Sequence, residues 1–194
     1  MAEASILLPG DSVCPPSQDG TLGPPNVAAV APTPFSIGDG AVMGTYREFV
    51  STGRPGSPFT GLSFEYQITL DAASKEAVQR FTADGFAGWQ TNVTFAPLGT
   101  VKTSEADRSA NGDLMGFTLE MGGVQPGQTS MWMIVDTDAP SFTPNLVTLS
   151  SPAGDFTGEA LGPAAVPEPG SLTLLALGLT GLLGAGWKRR RCAV

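Results

Sequence analysis

The sequence predicts an all-β domain, an antiparallel β-sandwich, followed by a single C-terminal hydrophobic helix. Three observations carry that prediction. Short stretches of alternating apolar and polar residues recur between 41 and 150, separated by clusters of Gly, Pro, Asn and Asp. Ahead of residue 170 no stretch sustains a helical period. Residues 170–187 then form an uncharged run of eighteen, with Leu at seven of the sixteen positions from 172 to 187.

Taken in order, residues 1–40 read as a Pro/Gly-rich segment. Seven prolines and five glycines fall between 5 and 40, and proline both fixes φ and removes a ladder donor. Residues 27–30 offer a first short strand. Ala2-Glu3-Ala4 is similar to the end of an export signal, yet Met1–Leu8 holds no basic and apolar stretch of the required length. The expectation is therefore that the true start lies upstream.

Residues 41–150 read as the β-sandwich domain. The first strand covers 41–50, with Val42, Tyr46 and Val50 beside Met43 and Phe49, and Gly44 marking a bulge. Residues 53–58 are loop. At 62–70 five apolar residues alternate strictly with four polar ones, which predicts a half-buried strand with one face in water. Residues 71–74 turn. At 77–82, Val78 and Phe81 fit neither period, so a short helix stays open there. Residues 85–89 form an aromatic bend, and 91–96 a strand with Val93 and Phe95 inward. Residues 102–113 read as a polar loop, 115–121 alternate again, and 125–128 turn. Residues 130–136 are apolar on both faces, as in a central strand. A last strand at 146–149 precedes an Ala/Gly/Pro linker at 151–165 and a tail at 166–194.

Charge narrows the partners. Ahead of residue 170 stand six Lys/Arg and all eighteen acids, a net −12, against +4 in the tail. So acidic a domain argues against nucleic acid and against adhesion to anionic lipid. It is compatible with bound cations or a neutral polysaccharide.

Chemistry is sparse. The chain has no histidine, which removes Ser-His-Asp and Cys-His catalysis and the usual zinc sites. A two-carboxylate glycosidase remains conceivable, with Asp136 and Asp138 as its acids, or Glu65, and Trp89 or Trp132 stacking on sugar. Against that, Asp-Thr-Asp-Ala-Pro at 136–140 suits a strand-end turn. Asp107, Asn111 and Asp113 could offer oxygens to Ca²⁺ but miss the spacing of a calcium loop. No glycine-rich loop lies between a strand and a helix, so nucleotide binding finds no support. No metal or cofactor is expected.

The tail is the most specific stretch. Pro167-Glu168-Pro169 stays extended, because each proline lacks an N–H and restricts its neighbour. Residues 170–187 would span about 27 Å as a helix, just enough for a bilayer core of roughly 30 Å, either as a permanent single-span anchor or as a sorting signal that is cut off. Lys188, Arg189, Arg190 and Arg191 follow, where the positive-inside rule puts the cytoplasmic end. The domain would then lie outside, and Cys14 and Cys192 on opposite faces, which excludes a disulfide between them.

Val166-Pro167-Glu168-Pro169, a Leu/Gly-rich span and a terminal Arg cluster together resemble the PEP-CTERM sorting tail of Gram-negative surface proteins. That resemblance implies an exosortase-type membrane protease that recognises Pro-Glu-Pro and releases the domain from the inner membrane, much as other removable tails act. It also implies a cell-surface or extracellular destination, with exopolysaccharide and biofilm as its setting.

Three functions follow as expectations. One is an exported, non-catalytic surface or matrix protein. Another is an exopolysaccharide-binding module using Trp89 and Trp132. The last is an acidic-residue glycoside hydrolase.

Overall fold

The computed structural model describes residues 5–17, 22 and 27–165. The sorting motif, the apolar run and the basic cluster fall outside these residues, as do Ala2-Glu3-Ala4 and Cys192. Among the described residues there are eleven strands: β1 Ser12–Val13, β2 Ala28–Ile37, β3 Val42–Thr52, β4 Leu62–Leu70, β5 Arg80–Ala83, β6 Thr91–Ala96, β7 Thr103–Arg108, β8 Met115–Leu119, β9 Trp132–Thr137, β10 Phe142–Ser151 and β11 Gly154–Pro163. One 3₁₀ turn, Glu120–Gly122, follows β8.

The strands form two antiparallel sheets, β2-β3-β4-β9-β6 and β1-β7-β8-β5-β10-β11. The expected all-β architecture holds. Alternation explains the core: Val42, Tyr46 and Val50 of β3, with Phe64, Tyr66, Ile68 and Leu70 of β4, turn toward Phe81, Phe117, Val147 and Leu149 of the other sheet. Tyr66 and Phe81 meet across the gap with ring centroids 4.9 Å apart, and Phe64 meets Phe86 edge-on at 5.8 Å.

Several boundaries differ from expectation. The stretch 1–40 is not separate from the domain, because β2 pairs with β3 from Ala28 to Ile37 around an irregularity between Val30 and Thr33. Pro32 and Pro34 sit on this edge strand, where a missing N–H costs least. Residues 77–82 hold no helix; β5 forms there and pairs with β8 and β10. The polar loop at 102–113 contains β7, whose Arg108 and Ala106 face inward.

The linker at 151–165 is the largest correction. Residues 154–163 are β11, paired with β10 along ten residues from Phe142↔Pro163 to Ser151↔Gly154. Three core side chains of the opposite sheet also bind its outer edge. Tyr46 Oη donates to Glu159 O at 2.7 Å, Tyr66 Oη to Leu161 O at 3.1 Å, and Leu161 N–H donates to Glu48 Oε2 at 2.7 Å. These bonds satisfy backbone groups that an edge strand would otherwise leave bare.

The wet face expected for 62–70 is also corrected. Ser63, Glu65 and Gln67 are buried, and only Thr69 of the polar set is exposed. Chain from before β2 accounts for part of the cover. Leu7 N–H donates to Thr91 O and Phe95 N–H to Pro16 O along β6, while Leu22 packs on Trp132, Ile134 and Ala96.

Candidate functional site

Two places on the domain concentrate polar chemistry, and a third connects the domain to the tail. On the outer face of the β2–β6 sheet, Asp136 of β9 is fully buried. Its Oδ1 accepts Arg54 Nε at 2.8 Å and Ser63 Oγ at 2.7 Å; its Oδ2 accepts Arg54 Nη2 at 2.5 Å and Asn92 Nδ2 at 2.9 Å. Arg54 reaches this carboxylate from the loop after β3 and also donates to Thr94 Oγ1 at 3.1 Å. Ser51 Oγ donates to Glu65 Oε1 at 2.7 Å nearby. Such a pair repays its desolvation through bidentate geometry and filled lone pairs. Asp136 has four donors and no solvent contact, the setting of a structural ion pair. Asp138 is exposed and accepts from Gln90 N–H at 2.8 Å. The carboxylates expected to serve a glycosidase therefore do not face solvent together.

Trp132 is corrected likewise. It is only 2 % exposed, its ring stacks on Phe49 at 4.8 Å, and the Arg47 guanidinium lies 4.7 Å from its centroid. No ring face is left for a sugar. Asp107 is drawn away from a calcium loop by Arg80, whose Nη1 and Nη2 meet its two oxygens at 2.7 and 2.8 Å. Asn111 Oδ1 instead accepts from Ser109 Oγ and Asp113 N–H, as in a tight polar turn.

Trp89 has a different setting. The bend before it turns on Gly85 and Gly88, both at positive φ (89° and 81°), a region glycine enters without strain. The half-buried indole then donates from Nε1 to Ala164 O at 2.9 Å, while Ala164 N–H donates to Ser141 O at 3.0 Å. Its ring helps wall a cleft of about 250 Å³ with Ile6, Leu8, Gln90 and Arg108. A second hollow of about 450 Å³ lies on the other side of Gly88, lined by Gly85, Asp113, Asn145, Pro163 and Ala165.

Arg108 stands in a polar stretch, where nothing in the sequence singles it out. It is buried and donates to four backbone carbonyls: Gly112, Leu7, Phe86 and Trp89, at 2.8–3.1 Å. Burial lowers its pKa from the usual guanidinium value, and the field of Asp138 opposes that shift. By tying the N-terminal segment to the bend at 86–89, Arg108 builds the floor of the Trp89 cleft. Glu48 has a signal in the sequence, since it shares the parity of Tyr46 and Val50 and so puts a carboxyl on the inward face. Burial pushes its pKa up to about 8, against the opposing influence of Leu161 N–H and Tyr66.

Among the described residues, Ala164 is thus fastened to the domain by Trp89 and Ser141. Neither the curated proteins nor the solved structures gave a match to the chain. Residues 165–191 match the PEP-CTERM protein-sorting motif. In general, such a motif marks a membrane-anchored precursor that an exosortase processes for the cell surface. The chain therefore carries, directly behind the residue that Trp89 holds, a sorting tail consistent with an exosortase substrate.

Proposed function

We propose that this chain is an exported surface or matrix protein with no catalytic role, held at the inner membrane by residues 170–187 until cleavage near Pro167-Glu168-Pro169 frees its domain. The observation that carries this reading is the sorting motif at 165–191, immediately after Ala164, which Trp89 ties to the β-domain. The buried, fully bonded Asp136 supports the non-catalytic part. Lys188 and Arg189–Arg191 would hold the far end on the cytoplasmic side.

Mass spectrometry of the surface form from the native host tests the proposal. A C-terminus lacking residues 170–194 is expected; an intact end at 187–194 defeats the reading. Glu168→Ala should block cleavage and leave membrane insertion in place, and equal processing of both proteins would remove the case for a recognition motif.

A second reading, exopolysaccharide binding, is favoured by the cleft at Trp89, where an aromatic ring, the Gln90 amide and apolar residues converge. Glycan arrays probed with wild type and Trp89→Ala, with and without Ca²⁺, test it; absence of retention rejects it.

A further inference from the structure

From Ala164, which Trp89 ties to the domain, six steps of chain lead to Gly170, where the uncharged run begins. Fully extended, six residues reach only about 20 Å. If residues 170–187 sit in a bilayer, as the proposed function has it, the end of the sandwich that holds Ala164 lies close to the membrane surface.

That end carries apolar side chains in solvent. Ile6 is 54 % exposed and Leu8 60 %, and both line the cleft of Trp89. Phe142, 37 % exposed, is the backbone partner of Pro163. Leu114, 45 % exposed, follows Asp113, which shares the second hollow with Ala165. Single exposed apolar residues are ordinary, and Met121 at the opposite end of β8 is one. Grouping around the exit of a membrane-bound tail is a different matter.

The charges at this end select the lipid. Asp84 accepts from Leu146 N–H, Asp113 from Gly85 N–H and Asp138 from Gln90 N–H, while the nearby cation Arg108 is buried. Carboxylates held at the rim oppose an anionic headgroup layer and tolerate a zwitterionic one.

We propose that Ile6 and Leu8 beside Trp89, with Leu114 and Phe142 at the same tail-exit end, rest on the interface of a zwitterionic phospholipid bilayer while the tail is inserted. The domain of the precursor then stands on the membrane by its tail-exit end, with Trp89 at headgroup level as interfacial aromatics commonly are. Release of the tail removes the tether and leaves four apolar residues too few to hold the domain there.

The test uses the full chain carrying Trp187→Phe, reconstituted in phosphatidylcholine vesicles, so that emission comes from Trp89 and the buried Trp132. Lipid brominated near the headgroup is expected to cause a loss of emission that Trp89→Phe abolishes. Leu8→Asp with Phe142→Asp, both at exposed positions, should also abolish the loss while residues 170–187 stay protected from added protease. Partial replacement by phosphatidylglycerol should weaken the quenching. A protected tail with unquenched Trp89 overturns the proposal and leaves the sorting reading standing. Crosslinking between copies that Leu8→Asp/Phe142→Asp prevents, without quenching, also overturns it and assigns the patch to a second copy. A tail digested in every vesicle refutes the membrane reading on which the proposal rests.

Discussion

Leu161 N–H donates to the buried carboxyl of Glu48 across the gap between the sheets, at 2.7 Å. Glu48 is wholly removed from solvent, and burial raises its pKa from 4.5 to about 8. Between those values the folded protein keeps a proton that the unfolded chain releases. Stability from this group is therefore full below about pH 4.5, falls as pH rises toward 8, and levels off above. The whole excursion is on the order of 5 kcal/mol. Glu48→Gln should flatten the fall and leave the variant more stable than wild type at pH 8. Urea denaturation of both proteins across this window measures it, and parallel curves would refute it.

The Arg54–Asp136 pair predicts a non-additive cost. Asp136→Ala leaves a guanidinium buried among Thr94, Ser63 and Asn92, and should destabilise by about 3–5 kcal/mol. The double replacement Arg54→Leu with Asp136→Leu removes both charges and should cost clearly less than the two single changes together. A double-mutant cycle in denaturant gives the coupling; simple additivity would show that the pair has no special role.

Much of this architecture is legible in the sequence, and the exceptions have physical causes. Strict alternation at 62–70 and the pattern at 91–96 mark β4 and β6 with their observed bounds. β11 is hidden because Gly154, Gly158, Gly162, Asp155 and Pro163 are poor strand formers. Its order comes from β10 and from Tyr46, Glu48 and Tyr66, far away in sequence. The face of Ser63, Glu65 and Gln67 looks solvated for the same reason, since the chain that covers it is not local. Trp132 resembles a ligand platform until Phe49 and Arg47 are seen on its ring. Nothing in the order of residues says that Trp89, by contrast, reaches Ala164 across 75 positions.

That bond makes Trp89 a determinant of how the chain leaves the domain. Trp89→Phe keeps the aromatic wall of the cleft and deletes one hydrogen bond, worth about 1 kcal/mol. Hydrogen exchange should quicken at the Ala164 amide, which donates to Ser141, while amides of β4 and β9 exchange at the wild-type rate. Unchanged protection at Ala164 would mean that Ser141 alone holds the exit.

Trp132 predicts a structural outcome where an open aromatic would predict a binding one. Its indole fills a buried cluster with Ala96 and Ile134, beneath Phe49. Trp132→Ala should therefore cost about 3–5 kcal/mol, as truncation of a large core side chain does. Arg47→Ala should cost less, because it removes a cation–π contact and its bonds to Gln67 but leaves the ring packed. Thermal unfolding ranks the two, and any glycan retention, corrected for the folded fraction, should be the same in wild type and Trp132→Ala. A stable Trp132→Ala that loses retention would put the sugar on this face after all, with Arg47 and Phe49 moving aside to admit it.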